Sequence, residues 1–225
     1  MKILTVADEI CKGLWDYYSP GKLSEYDLIL SSGDLKAEYL SFLVTMARCP
    51  LFYVHGNHDR DYDQHPPEGC DCIDDKLVVY KGLRILGLGG SRKYSGGKHQ
   101  YTEREMDKRI RKLRRAIKLA GGVDIVLAHA APRGVGDQED LPHQGFEAFL
   151  ELIDAYHPQY FLHGHVHLNY ANGIKRLAEY EGTAVINCCE KYVVDQVVPG
   201  DVPPLKGWQR LYCKLFVKNY QCMDF

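Results

Sequence analysis

Long apolar runs are missing from this chain: across its 225 residues no unbroken stretch of apolar side chains exceeds four, against the roughly 18 that a membrane-crossing helix requires. No membrane is therefore expected among its partners. An excess of charge is missing as well. The 28 Lys and Arg against 30 Asp and Glu leave a formal charge of -2, so no global field draws the protein onto anionic lipid, and nucleic acid is not a favoured partner. Any anionic substrate must be held by a local site. The N-terminus lacks a leader of secretory type: Met1 to Ala7 gives way to Asp8 before an apolar core of useful length has formed, and no small-residue cleavage pattern follows. A cytoplasmic protein is expected.

The eight cysteines include no Cys-x-x-Cys pair, which removes support for a structural zinc ribbon. Without an export signal they are expected to be reduced packing residues, with Cys70-x-Cys72 and the Cys188-Cys189 pair as weak metal signals. Also absent are a Gly-x-Ser-x-Gly elbow, a Walker loop, a His-Glu-x-x-His helix and a cysteine followed by Arg at the spacing of cysteine-dependent phosphatases. Gly87-Leu88-Gly89-Gly90 lacks the third glycine of a dinucleotide fingerprint. No internal repeat or low-complexity segment divides the chain, and its length suits one large domain better than two small ones.

What is present is a repeating unit of apolar strand, polar turn and helix. Lys2 to Ala7, Asp27 to Leu30, Leu51 to Val54, Asp124 to Ala128 and Tyr160 to Leu162 are short apolar runs that stop at polar residues, as buried strands do. Leu77 to Tyr80 and Leu83 to Leu88 flank Lys81-Gly82, a hairpin signal, and Ile174 to Cys188 reads as a second hairpin around Gly182. Ala37, Leu40, Leu43, Val44 and Ala47 recur at helical spacing. So do Met106, Ile110, Leu113 and Ile117, behind a Thr102-to-Glu105 capping box and ahead of Gly121-Gly122. The other faces of that second helix are crowded with Arg and Lys and read as solvated. Phe146, Phe149, Leu150 and Ile153 mark a third helix. Asp59 to Asp75, acidic and aperiodic, reads as a solvated loop, as does the Gly- and Lys-rich segment from Ser91 to Tyr101. Trp208, Leu211, Tyr212, Leu215 and Phe216 form a last helical stripe beyond Pro199, Pro203 and Pro204.

Five strand ends carry groups able to bind metal: Asp8; Asp34 in Gly33-Asp34; Asn57 and His58 in Gly56-Asn57-His58-Asp59; His129; and His165 and His167 in Gly164-His165-Val166-His167. Each alone has an ordinary reading, as a helix cap, a turn or a core histidine. Their recurrence after one strand after another is what points to chemistry, because ligands gather at the carboxyl ends of strands in α/β sheets. Two divalent ions about 3.5–4 Å apart need a shared carboxylate, with neutral imidazoles and an amide oxygen limiting the negative charge. Asp34 is the natural bridge. In an extended segment His165 and His167 project to the same side, so one can serve each ion.

In this order the motifs resemble the signature of the calcineurin-like metallophosphoesterases: Asp-x-His, Gly-Asp, Gly-Asn-His-Asp, a lone His, then Gly-His-x-His. Four of the five blocks are intact. The resemblance implies an α/β fold, a four-layer α/β/β/α sandwich of two mixed sheets flanked by helices. It implies one metal held by Asp34, Asn57, His129 and His165, and the other by Asp8, Asp34 and His167. It further implies hydrolysis of a phosphomonoester or phosphodiester by in-line attack of metal-bound hydroxide, with His58 stabilising or protonating the departing oxygen and Asp59 orienting the His58 ring. The ions implied are manganese first, with iron or zinc also suited to such ligands.

The departure lies in the first block, Asp8-Glu9-Ile10, where isoleucine replaces the usual histidine. Glu9 is the nearest donor that could replace it, but an extended turn would aim Glu9 away from Asp8. The expectation is a weak first metal site of low occupancy, whose affinity Ile10→His would restore. The alternative reading is a non-catalytic scaffold of this fold that binds a protein partner. Residues 1–195 are assigned to the phosphoesterase domain and 196–225 to a C-terminal extension, a helix packed on the core or at a dimer contact, the latter making a homo-oligomer.

Overall fold

The computed structural model describes residues 1–168, 174–200 and 206–223; Pro203 and Pro204 lie outside them. The chain opens with β1 (Ile3–Val6) and β2 (Leu28–Ser31), then α1 (Ala37–Ala47), β3 (Leu51–Tyr53) and β4 (Asp71–Cys72). The hairpin β5 (Lys76–Tyr80) and β6 (Leu83–Leu88) follows, with β7 (Ser91–Arg92) and β8 (Gln100–Tyr101), then α2 (Glu103–Ala120) and β9 (Ile125–Ala128). The last part holds α3 (Glu147–Tyr156), β10 (Tyr160–His163), β11 (Leu177–Tyr180), β12 (Thr183–Asn187), β13 (Tyr192–Val194), α4 (Gly207–Phe216) and β14 (Tyr220–Met223).

Two mixed sheets result. One has the order β13-β1-β2-β3-β4 and the other β11-β12-β10-β9-β6-β5-β14. The period-2 alternation of the central strands makes the layers. Ile3, Leu28, Leu30 and Phe52 of the first sheet meet Ile85, Ile125, Leu127 and Leu162 of the second in one apolar cluster. The intervening residues Leu4, Val6, Ile29 and Leu51 turn outward onto Tyr39, Leu40 and Leu43 of α1. On the far side Leu86, Val126 and Phe161 pack under Met106, Ile110, Leu113 and Ile117 of α2 and Phe149 and Ile153 of α3. Helix, sheet, sheet, helix is therefore read off three apolar contacts. The Thr102–Glu105 capping box forms, and Gly121 ends α2 in the left-handed region. No helix among the described residues is long and apolar enough to cross a membrane.

Four features differ from the sequence reading. The segment from Ser91 to Tyr101, read as a solvated loop, carries the paired short strands β7 and β8, with Ser91 and Gln100 buried. The acidic segment after Asp59 contains a 3-10 turn, Arg60–Asp63, and the short edge strand β4. The C-terminal stripe does form a helix, but Trp208, Leu211, Leu215 and Phe216 are each more than half exposed, while Cys213 and Val217 on the opposite side face the core. Beyond it β14, with no signal of its own, adds in parallel to β5 at the sheet edge.

One ion pair ties the two sheets together beside the strand ends. The Asp74 carboxylate lies 2.6 Å from His55 Nδ1, just past β3, and accepts the Gly89 N–H at 2.6 Å, just past β6. Burial would lower the His55 pKa, but Asp74, together with the neighbouring Cys72, raises it from 6.5 to about 10. Because the folded value lies above the unfolded one, this stability is complete below about pH 6.5 and is lost as pH rises through about 10. Asp74→Asn is expected to cost about 1–2 kcal/mol at pH 7, less than breaking a fully buried pair would, because both side chains are only partly buried. It should also flatten the alkaline decline. Urea unfolding of both proteins at pH 6, 8 and 10 checks this; equal alkaline slopes would contradict it.

Candidate metal centre

The carboxyl ends of β1, β2, β3, β9, β10 and β12 point to one edge of the double sheet, and the polar residues that follow them meet there. Among the described residues, Asp34, His129 and His165 bring ligand atoms within 4.8 Å of one another. Asn57 joins them: its Oδ1 lies 3.0 Å from His129 Nε2, and Asp34 Oδ2 lies 3.3 Å from the same nitrogen. The other His129 nitrogen, Nδ1, donates to the Ser32 carbonyl at 2.8 Å, which leaves Nε2 facing the acceptors. The Nε2 proton occupies the position that a cation would take. Two sheets thus contribute equally, Asp34 and Asn57 from the first, His129 and His165 from the second.

Strained backbone aims these groups. Asp8 and His165 both have positive φ, 60° and 68°. Each is the centre of a γ-turn, with Glu9 N–H donating to the Ala7 carbonyl at 2.6 Å and Val166 N–H to the Gly164 carbonyl at 2.8 Å. Such backbone costs on the order of 1–3 kcal/mol and persists where its surroundings hold it. Both Asp8 carboxylate oxygens accept the His165 N–H, at 2.9 and 3.0 Å, so the two turns brace each other.

Glycine is required at Gly56. A Cβ there would sit 2.0 Å from Asp34 Oδ1, inside any contact distance. Gly56→Ala is expected to displace the Asp34 carboxylate, lowering Mn2+ affinity by at least about tenfold and stability by about 2 kcal/mol. Calorimetric titration and thermal melts measure both, and wild-type affinity in the variant would show that the loop yields elsewhere.

Charge in the site is unbalanced in the direction that attracts cations. Burial, with the negative charge of Asp34 nearby, pushes Asp8 up to about 6. Asp34 is buried too, yet the facing His129 holds it down to about 2. Burial would deprotonate His129, but Asp34 keeps it charged up to about 9. Burial drives His165 down to about 3, leaving it a neutral ligand. Carboxylate, amide oxygen and neutral imidazole are the donors that a divalent ion takes, so the residues fit such an ion.

His167 has a partner that the sequence reading did not give it. Its Nδ1 lies 2.9 Å from Glu9 Oε1, and Glu9, His167 and Cys189 form a second group whose ligand atoms lie within 4.8 Å. Asp8 stands beside both groups. Asp59 also has a different role from the one expected. Its Oδ2 accepts the backbone N–H of Asp34 and of Gly56, each at 2.8 Å, and no hydrogen bond joins it to the His58 ring. It positions the loops that carry Asp34 and Gly56. Burial and the negative charge of Asp34 push its pKa up to about 6.

His58 is exposed, on the wall of a cleft of about 660 Å³ lined also by Asp8, Glu9, Asp34, Lys36 and His65. Its backbone N–H, rather than its ring, contacts Asp34, donating to Oδ1 at 2.7 Å. The sequence reading missed Tyr94 and His143, and it disfavoured Glu9 and Cys189 as ligands. Tyr94, from the loop between β7 and β8, accepts from Asn57 Nδ2 at 3.1 Å and so turns the amide oxygen toward His129. The His143 ring lies 5.0 Å from that of His165, whose Nε2 donates to the Pro142 carbonyl at 2.7 Å. The Cys188-Cys189 pair and the position of Glu9 in the first block were the signals available.

Residues 8–169, which hold every one of these groups except Cys189, match the sequence model for calcineurin-like phosphoesterases. No curated protein sequence gives a significant match. One solved crystal structure superposes with a TM-score of 0.62 at 15% identity, covering 86% of this chain and 94% of the other. The crystal structure of TT1561 of Thermus thermophilus superposes with a TM-score of 0.57 at 16% identity, covering 84% of this chain and 89% of that one. At such identity the likeness is one of fold.

Proposed function

This chain belongs to the calcineurin-like phosphoesterase family, and from that premise we propose that it hydrolyses a phosphomonoester or phosphodiester with divalent metal ions at the strand ends. The observation that carries the reading is the convergence of Asp34, Asn57, His129 and His165 from four strands of two sheets, beside an open cleft. Asp34 supplies the charge, Asn57 Oδ1 and the two imidazoles complete a mixed donor set, and Asp59 fixes the loops that carry Asp34 and Gly56. When bound, the ions supply Lewis acidity that polarises a phosphoryl oxygen and lowers the pKa of an attacking water. His58, exposed on the cleft wall, is placed to protonate the departing oxygen. Lys36 on the same wall offers a positive charge to the phosphoryl group.

No element among the described residues closes over the cleft as a separate domain, so exposed phosphoesters fit as readily as small ones. The scaffold reading rests on Ile10 alone. A panel of model mono- and diesters, assayed with Mn2+, Fe2+ or Zn2+ and after chelation, tests the proposal. Hydrolysis that depends on added metal is expected. No turnover of any ester with any of these ions would overturn it.

A further inference from the structure

Resting on that reading, we propose that the first metal ion is held by Glu9, His167 and Cys189, a thiolate-containing site that makes up for the histidine missing at position 10 and favours Zn2+.

Three strand ends deliver the donors. Glu9 follows β1, His167 follows β10 and Cys189 follows β12, and their ligand atoms lie within 4.8 Å of one another. Glu9 reaches this place because the γ-turn at Asp8 reverses the chain, where an extended turn would have aimed it away. Cys189 is held at its position twice. It bridges Ala7 in the parallel sense, and its N–H donates to Asn187 Oδ1 at 2.9 Å. Cys189 is buried, at 2% residue exposure. Ile10 packs against the apolar cluster under α1, as a side chain without a ligand role should.

The donor chemistry decides the ion. Carboxylate, imidazole and thiolate together suit a borderline-soft cation, and thiolate in particular selects Zn2+ over Mn2+. The manganese expected from the family resemblance would then suit the Asp34–His129–His165 centre better than this one. Three protein ligands would leave a fourth position of a tetrahedral ion unfilled by protein, as in catalytic rather than structural zinc sites, and Glu9 also lines the cleft.

Titration of the metal-free protein with Co2+, a spectroscopic stand-in for Zn2+, tests the site without reference to turnover. The expected result is two ions per chain and a thiolate-to-cobalt charge-transfer absorption in the near ultraviolet. Cys189→Ser should abolish that band, and Glu9→Gln, a change at a partly exposed residue that leaves folding intact, should weaken the same site by at least about tenfold. Ile10→His should leave its affinity within about twofold, because the position is already filled. Absence of the band in the wild type, its persistence in Cys189→Ser, or a tenfold gain in Ile10→His would each overturn the proposal. Ester hydrolysis without the band would leave the esterase reading standing and this site rejected; the band without hydrolysis would do the reverse.

Discussion

Asp34→Asn is expected to lower ester hydrolysis by at least about a thousandfold, the equivalent of removing several kcal/mol of electrostatic stabilisation. The substitution is nearly isosteric, so the contact with the His58 N–H at 2.7 Å is retained while the charge disappears. A readout independent of turnover accompanies it. Asp34 is the main influence raising buried His129 to about 9, so in the metal-free variant the histidine pKa should fall below 6.5, its ordinary value, and be followed by NMR. The stability that His129 contributes is complete below about 6.5 and lost as pH rises through about 9, since its folded pKa is the raised one. The variant should lack that decline. Calorimetry should show weak metal binding at the Asp34–His129–His165 centre. Retained hydrolysis with a shifted His129 would mean that Asp34 serves the protonated histidine rather than an ion.

Most of this centre was legible in the sequence because each ligand ends an apolar run, and strand ends in a mostly parallel arrangement collect on one edge. Asp34, Asn57, His129 and His165 meet for that reason. Backbone hand was not legible. Alternation assumes an extended chain, and nothing in Ala7-Asp8-Glu9 announces a γ-turn, so the approach of Glu9 to His167 was not foreseen. Asp59 shows the same limit. Its place next to His58 suggested a partner for the ring, whereas the turn at Gly56 swings its carboxylate back onto the amides of Asp34 and Gly56. At the C-terminus, apolar content identified the helix but not its inward face. Cys213 and Val217 bury there, with Tyr212 partly buried against the same cluster, too short a stripe to outweigh Trp208, Leu211, Leu215 and Phe216. Hydrophobic periodicity predicts burial only where the fold supplies a surface to bury against.

His58→Ala should separate an enzyme from a scaffold, because a protein that only binds a partner has no use for a proton donor on the cleft wall. The side chain is exposed, and the structural contact of this residue runs through its backbone N–H to Asp34 Oδ1, so truncation leaves the metal loops in place. Metal affinity is expected to stay within about twofold, while hydrolysis falls by about 10²–10⁴-fold, the usual contribution of a positioned general acid. The loss should depend on the ester. An alkyl phosphoester, whose leaving oxygen needs a proton, should show the whole effect; a nitrophenyl ester, whose leaving group departs as a stable anion, should show far less. A uniform loss across both would assign His58 to phosphate binding, and no loss in either would remove it from the chemistry. The graded outcome, with metal binding intact, is one that a scaffold cannot produce.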